Sequence, residues 1–320
     1  MTDLPSKKHN IVQAPRASAI LYHLLASQPQ KQTWLMPANI CPIVPITFMK
    51  ANVPFELVDI TAVNLHMDLE QAEALVRKRK VGGLLYAHTY GDASTPDDFF
   101  QLLKSINPKL TIIDDRALCT PEFEVSSSAD AVLYSTGYAK IVELGFGGYA
   151  FLGEGVQYQP IHLPFNSDDR GKLEHAYKQA LSFRENFIYR DSDWLETDGR
   201  LSSWQEYRHR IEAGIKSSMT QRTLLNKIYT ELLPVDIQLP QRYQSWRFNI
   251  RLKNKDKVFR AIFDEGLFAS SHYASLAGVM SRERALNAER LAEEVVNLFN
   301  DHHFDALRAE KICKIILKNA

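Results

Sequence analysis

The sequence predicts an α/β protein, a mostly parallel sheet covered by helices on both faces, followed by a smaller α+β domain. Three observations carry this. Short, uninterrupted apolar runs alternate with amphipathic stretches through roughly the first half of the chain, the pattern of strands buried on both faces and joined by crossover helices. Several of these runs stop at a polar residue, as the strands of an open sheet do at their carboxyl edge. The pattern then changes near residue 155, where a polar stretch and a long helical stretch replace the alternation.

The elements follow in order. Residues 16–27 place Ile20, Leu21, Leu24 and Leu25 at helical spacing. Thr33–Pro37 is a short apolar run ending in proline, and residues 41–51 read as a helix with Val44, Phe48 and Met49 on one side. FELVDI (55–60) is a strand ending in an acid. Residues 68–80 form an amphipathic helix with Leu69, Ala72, Leu75 and Val76 as its stripe and RKRK at its negative dipole end. GGLLYAH (82–88) is a fully apolar strand. Residues 95–106 make a helix with Pro96 in its first turn. Residues 110–113 form a strand that stops at Asp114-Asp115, 129–134 another, and 149–152 a fourth after a glycine-rich turn. Right-handed crossovers are expected between the parallel strands. Residues 155–200, with Pro160, Pro164 and SDDRGK, read as irregular surface structure. A long helix over about 201–233, a strand at 246–252, a helix at 255–265 stopped by Gly266, and helices at 282–298 and 303–318 complete the chain. The division expected is a large α/β domain over 1–200 and a small α+β domain over 201–320.

Composition excludes several classes. The chain has 320 residues, 45% hydrophobic and 24% charged, with a formal net charge of zero. That is an ordinary globular balance, with no basic excess pointing to nucleic acid. Cys41, Cys119 and Cys313 are odd in number and far apart, which argues against a disulfide framework or a zinc site and for reduced thiols. The polar start MTDLPSKKHNIVQAP has no apolar core of a secretory leader, and no apolar run approaches the length of a membrane span. The expectation is a cytoplasmic protein with small-molecule partners, no nucleic acid and no membrane.

Ligands of open parallel sheets bind outside the carboxyl ends of the strands. That rule selects His88, Asp115 and Ser135, with Lys140 five positions beyond Ser135 in STGYAKIVELGFGG. Taken singly, a strand-end aspartate is most often a cap and a lysine most often solvated; the combination in order is what points to chemistry. A lysine amine becomes a Schiff-base nucleophile when desolvated beside a cation. A buried carboxylate keeps the ring nitrogen of pyridoxal 5'-phosphate (PLP) protonated, which makes that cofactor an electron sink. A nearby serine and a helix N-terminus, here at Ala17 and Ser18, can take its phosphate. Lys140, Asp115, Ser135, Ala17 and Ser18 are therefore the candidate cofactor residues.

The runs LMPANICPIVPITFMKANVPFELVDI, LLYAHTYGDASTPDDF, LTIIDDRALC and ADAVLYSTGYAKIVELGFGGYAFL together resemble the DegT/StrS-like sugar aminotransferases, fold-type I PLP-dependent transferases. The matching features are Pro37, Val58-Asp59, His88-Thr89-Tyr90-Gly91, Asp114-Asp115, Ser135 to Lys140 and Gly147-Gly148; FDEGLFASSHYASL (263–276) is similar to the family's segment in which a helix ends at glycine and a His-Tyr pair follows. The likeness spans about residues 14–152 and 246–318. It implies that Lys140 carries the cofactor and shuttles protons, that Asp115 pairs with the ring nitrogen, that Ser135 with Ala17 and Ser18 binds phosphate, that His88 and Cys41 lie at the cofactor, and that His272 and Tyr273 lie near the substrate. It also implies a homodimer and an aminotransferase moving an amino group from an amino acid to a keto group, on a sugar or sugar-nucleotide used in polysaccharide or secondary-metabolite synthesis.

Four departures stand beside the likeness. Arg16-Ala17 replaces Gly-Thr at the phosphate helix, which removes a hydroxyl donor. No aromatic stands near Cys41 to stack on the ring, Leu118 replaces a glutamine just after Asp115, and the segment before the first helix is short. These leave open a catalytically degenerate binding protein of the same fold, and the same lysine and aspartate would equally serve a PLP-dependent dehydratase or lyase.

Overall fold

The computed structural model describes residues 9–125, 127–199 and 201–320; the polar leader over residues 1–8 lies outside them. Its first sheet is built from β1 (Asn10–Ala14), β2 (Thr33–Pro37), β3 (Phe55–Val58), β4 (Val81–Ala87), β5 (Thr111–Asp115), β6 (Ala131–Ser135) and β7 (Gly148–Leu152), in the order β1-β7-β6-β5-β4-β2-β3. From β6 through β5, β4 and β2 to β3 every pairing is parallel; β7 runs antiparallel to both β6 and β1. Helices α1 (Ala17–Ala26), α2 (Ile43–Lys50), α3 (Leu69–Lys78) and α4 (Asp97–Ile106) make the connections. The fold class expected from the sequence is therefore the one observed.

Side chains alternate across a strand, and the sheet sorts them into two cores. Trp34, Met36, Leu85 and Ile113 face the core shared with α1 and α2. Leu35, Leu84, Tyr86 and Ile112 face the core shared with Ala72 and Val76 of α3 and Phe100 and Leu103 of α4. At about 25 cal/mol per Å² of apolar surface withdrawn from water, side chains of this size each favour folding by about 1.5–3 kcal/mol. The same alternation puts Asp114 and Asp115 on opposite faces.

The rest of the chain comprises α5 (Ser167–Phe183), α6 (Trp204–Leu232), β8 (Phe248–Arg251), α7 (Lys255–Asp264), β9 (Ala269–Ser270), α8 (Leu286–Glu294), β10 (Val295–Leu298) and α9 (Ala306–Asn319). Strands β8, β10 and β9 form a small antiparallel sheet. It is packed by Val258 and Ile262 of α7 and Ile312 and Ile316 of α9. Helix α6 belongs to both halves: Tyr207 and Ile211 lie in the first core, Leu225 and Tyr229 in the last. Gly266 ends α7 with φ +68°, the left-handed stop its position predicts.

Three expectations are corrected. Strand β1 precedes the first helix, where none was expected. Residues 155–200 are not all irregular, because α5 occupies 17 of them, with Asn166 as its cap, accepting from Asp168 N–H at 2.9 Å. Residues 282–298 are not one helix: α8 ends at Glu294, and VVNL continues as β10, whose β-branched pair suits an extended strand.

Candidate active site

The carboxyl ends of β4, β5 and β6 open onto a pocket of about 240 Å³, and the N-terminus of α1 closes one side of it. Asp115 ends β5 on the α1 face and is buried. Its Oδ1 accepts from Ala117 N–H at 3.0 Å. Burial pushes its carboxyl pKa up, against the pull of that N–H and of the Lys140 charge. A desolvated carboxylate with one oxygen already engaged is suited to a cationic N–H from a ligand.

Asp114, on the opposite face, is fully buried and takes His88 Nε2 at 2.6 Å and Arg116 Nε at 3.0 Å. Its pKa is lowered: burial acts upward, and the His88 and Arg116 contacts outweigh it. His88 Nδ1 meets the Asp92 carbonyl, and Asp92 binds His66 Nε2 at 3.0 Å. Both ring nitrogens of His88 are thus engaged beneath the sheet, although the residue borders the pocket. It braces the end of β5 from behind.

Lys140 sits on a turn after β6 that side chains from distant segments hold. Ala139 has φ +55°, a conformation uncommon for a residue with a Cβ, and its N–H donates to Glu143 Oε2 at 2.9 Å. Trp246 Nε1 donates to Ala139 O at 2.6 Å. From α6, Arg222 Nη2 donates to Lys140 O at 3.2 Å and Ser218 Oγ to Ile141 O at 2.6 Å. Arg222 is itself buried among neutral acceptors, and that burial, with Arg247 nearby, lowers its pKa to about 10. Among the described residues the Lys140 amine has no hydrogen-bond or ion-pair partner, and it lines the same pocket as Asp115.

Ser135, Gly137, Ala17 and Ser18 form the other end of the pocket. Helix α1 begins after Arg16, whose side chain does not cap it; Ala19 and Ile20 N–H turn back to Arg16 O, which leaves Ser18 N–H as the first-turn donor for an anion. Gly148 permits this placement: a Cβ there would stand 2.6 Å from both Ala17 N and Ala17 Cα. Arg16 donates to Glu196 at 2.8 Å and to Gly145 O at 2.8 Å. Glu196, with Trp194 and Leu195, comes from the segment beyond α5 and roofs the pocket, and Arg170 of α5 joins it.

Tyr90, Trp246 and Tyr273 lie in a nearly parallel series, with centroids 6.4 Å apart at each step and interplanar angles of 6° and 13°. Tyr90 and Tyr273 face the pocket. His272 lies behind them with its ring edge on Trp246. Burial, then the charges of Arg247 and Lys140, lower its pKa to about 4. Cys41 borders the pocket at the start of α2, and burial pushes its thiol pKa up. The structure therefore gathers Lys140, Asp115, Ser135, Ala17, Ser18, Cys41 and Tyr273 around one cavity, with His88 below it and His272 behind.

No family model and no curated protein matches the sequence. Solved structures do match the fold. A DegT DnrJ EryC1 StrS aminotransferase from Brucella abortus superposes with a TM-score of 0.69 at 15% identity, over 97% of this chain and 85% of that one. The chain has the fold-type I architecture of these aminotransferases. Helicobacter pylori PseC, an aminotransferase involved in the biosynthesis of pseudoaminic acid, gives 0.67 at 13% identity over 97% and 86%. A Streptococcus pneumoniae protein solved in its PLP form gives 0.68 at 14% over 95% and 85%.

Sequence reasoning missed Trp246, Arg222, Glu143 and the Trp194-Leu195-Glu196 roof. Trp246 stands at the head of an alternating run, where it reads as core. Arg222 sits within a long polar helix. Neither carries a local signal that it reaches the Lys140 turn.

Proposed function

We propose that this chain is a PLP-dependent aminotransferase that moves an amino group from an amino acid to a keto group on a sugar or sugar-nucleotide. One observation carries the reading: Lys140 and Asp115, far apart in sequence, line one pocket on the α1 face, on a fold shared with aminotransferases. The residues fit the cofactor. Lys140 would hold it through Nζ, Asp115 would face its ring nitrogen, and Ser135 with the first turn of α1 would take its phosphate. The cofactor, when bound, supplies an electron sink for the carbon that loses a proton. Lys140 Nζ is the group placed to take that proton and return it. The Glu143, Trp246 and Arg222 contacts hold the backbone around that amine, which keeps Nζ within reach of a bound substrate. Tyr273 and the roof exclude water, and His272, held neutral above about pH 4, adds no charge beside the amine. The sugar acceptor rests on neighbours such as PseC, and a homodimer on the resemblance of the sequence.

Borohydride reduction of the PLP-loaded protein followed by peptide mapping tests this. A pyridoxyl group on Lys140 is expected; its absence there refutes the reading. A catalytically degenerate binding role has one observation in its favour, since Glu196 places a carboxylate at the phosphate end and occupies Arg16. Glutamate separates the two: an aminotransferase loses its visible absorption band when an amino donor is added, and a degenerate relative keeps it.

A further inference from the structure

On the outer side of the Lys140 turn, three side chains from two distant parts of the chain converge. Glu143 follows that turn, and His302 and His303 follow β10. One ligand atom from each lies within 4.8 Å of the others, and His303 Nε2 stands 3.9 Å from Glu143 Oε1. We infer that Glu143, His302 and His303 form a binding site for a divalent transition-metal ion of the zinc class.

Two imidazoles and one carboxylate are a donor set that zinc accepts with a fourth position left to water. Ligand bonds of about 2.0–2.2 Å at tetrahedral angles put the donors about 3.4 Å apart. The atoms lie within 4.8 Å of one another, so the site must close by up to about 1.4 Å, and the side chains of the two histidines are exposed while Glu143 is half-buried. Among the described residues no hydrogen bond engages either imidazole; the two rings pack on each other with centroids 4.0 Å apart, and His303 also meets the edge of Phe299. The backbone beneath is fixed. Asp301 is buried and ion-paired with Arg247, and its Oδ1 accepts from His303 N–H at 3.1 Å. The His303 carbonyl takes Arg308 Nη1 at 2.9 Å. Glu143 is held by Oε2, which accepts from Ala139, and this leaves Oε1 turned toward the histidines. Supports of this kind hold metal ligands in place before the ion arrives.

The site does not rest on the reading of the pocket, and its test needs neither PLP nor activity. Zinc chloride is titrated into the untagged full chain in competition with a zinc-binding chromophore, with magnesium chloride in parallel. One equivalent of zinc per chain is expected, with no competition from magnesium. H302A/H303A, and separately E143Q, should weaken binding by at least about tenfold. E143Q retains an acceptor for Ala139 N–H, and circular dichroism verifies that each variant is folded. The inference is overturned if zinc does not saturate, or if folded H302A/H303A binds it as the native chain does.

Discussion

Replacing Gly148 with alanine would set a methyl group 2.6 Å from the backbone of Ala17, where ordinary contact begins near 3.4 Å. The start of α1 and the first residue of β7 would have to separate by about 0.8 Å. The obstructing atoms are backbone N and Cα, so rotation of a side chain gives no relief. Overpacking of this kind costs about 1–3 kcal/mol. The same displacement moves the first turn of α1 that faces the pocket, so PLP should bind more weakly. The assay is a pair of measurements: urea unfolding for stability and fluorescence titration for the PLP dissociation constant. Gly171→Ala is the control. It lies inside α5 with nothing within 4 Å of a new Cβ, and should gain roughly 0.5–1 kcal/mol from helix propensity. If Gly148→Ala behaves like the control in both measurements, the close approach of α1 and β7 does not position the phosphate end of the site.

Trp246→Phe keeps the ring series but removes the Nε1 hydrogen bond to Ala139 O. It should cost about 1 kcal/mol in urea unfolding and should lower kcat more than it raises the donor KM; a variant with native kcat would remove Trp246 from the support of Lys140. Burial raises the Asp92 carboxyl, but hydrogen bonds from His66 and Ser94 outweigh it and lower the pKa from 3.8 to about 2. A lowered folded pKa supplies stability that is fully present above pH 3.8 and lost as pH falls toward 2. Urea midpoints across that window should fall less steeply for Asp92→Asn than for the native chain, and equal slopes would contradict the assignment. His272, lowered to about 4, should hold a constant imidazole NMR shift between pH 8 and 5, and a midpoint near 6.5 would show that it is not enclosed as described.

The strands that carry the site were legible because each is buried on both faces and reads as an unbroken apolar run, with its first polar residue marking the sheet edge. That is how Asp115 and Ser135 stand out. The alternation rule goes further, since adjacent aspartates must point to opposite faces, yet it cannot say which face holds the pocket. Helix α5 is hard to read because its stripe is thin: Leu173 and Ala180 are buried, Tyr177 and Leu181 only half-buried, and the positions between them are mostly polar. The sequence over β10 reads as helix because Ala288 and Leu291 of α8 run into Val295 and Val296 with no glycine or proline between them. The turn around Lys140 depends on partners from the far end of the chain, which only the folded arrangement brings together.

Because α6 is anchored in both cores and grips the Lys140 turn at its middle through Arg222 and Ser218, the helix acts as a common axle for the molecule. A swivel of either half about it would disturb the turn that carries Lys140. Access to the cavity is therefore governed by shorter pieces at its rim, chiefly the Trp194-Leu195-Glu196 stretch. Amide protons along the middle of α6 should exchange only when the whole molecule opens.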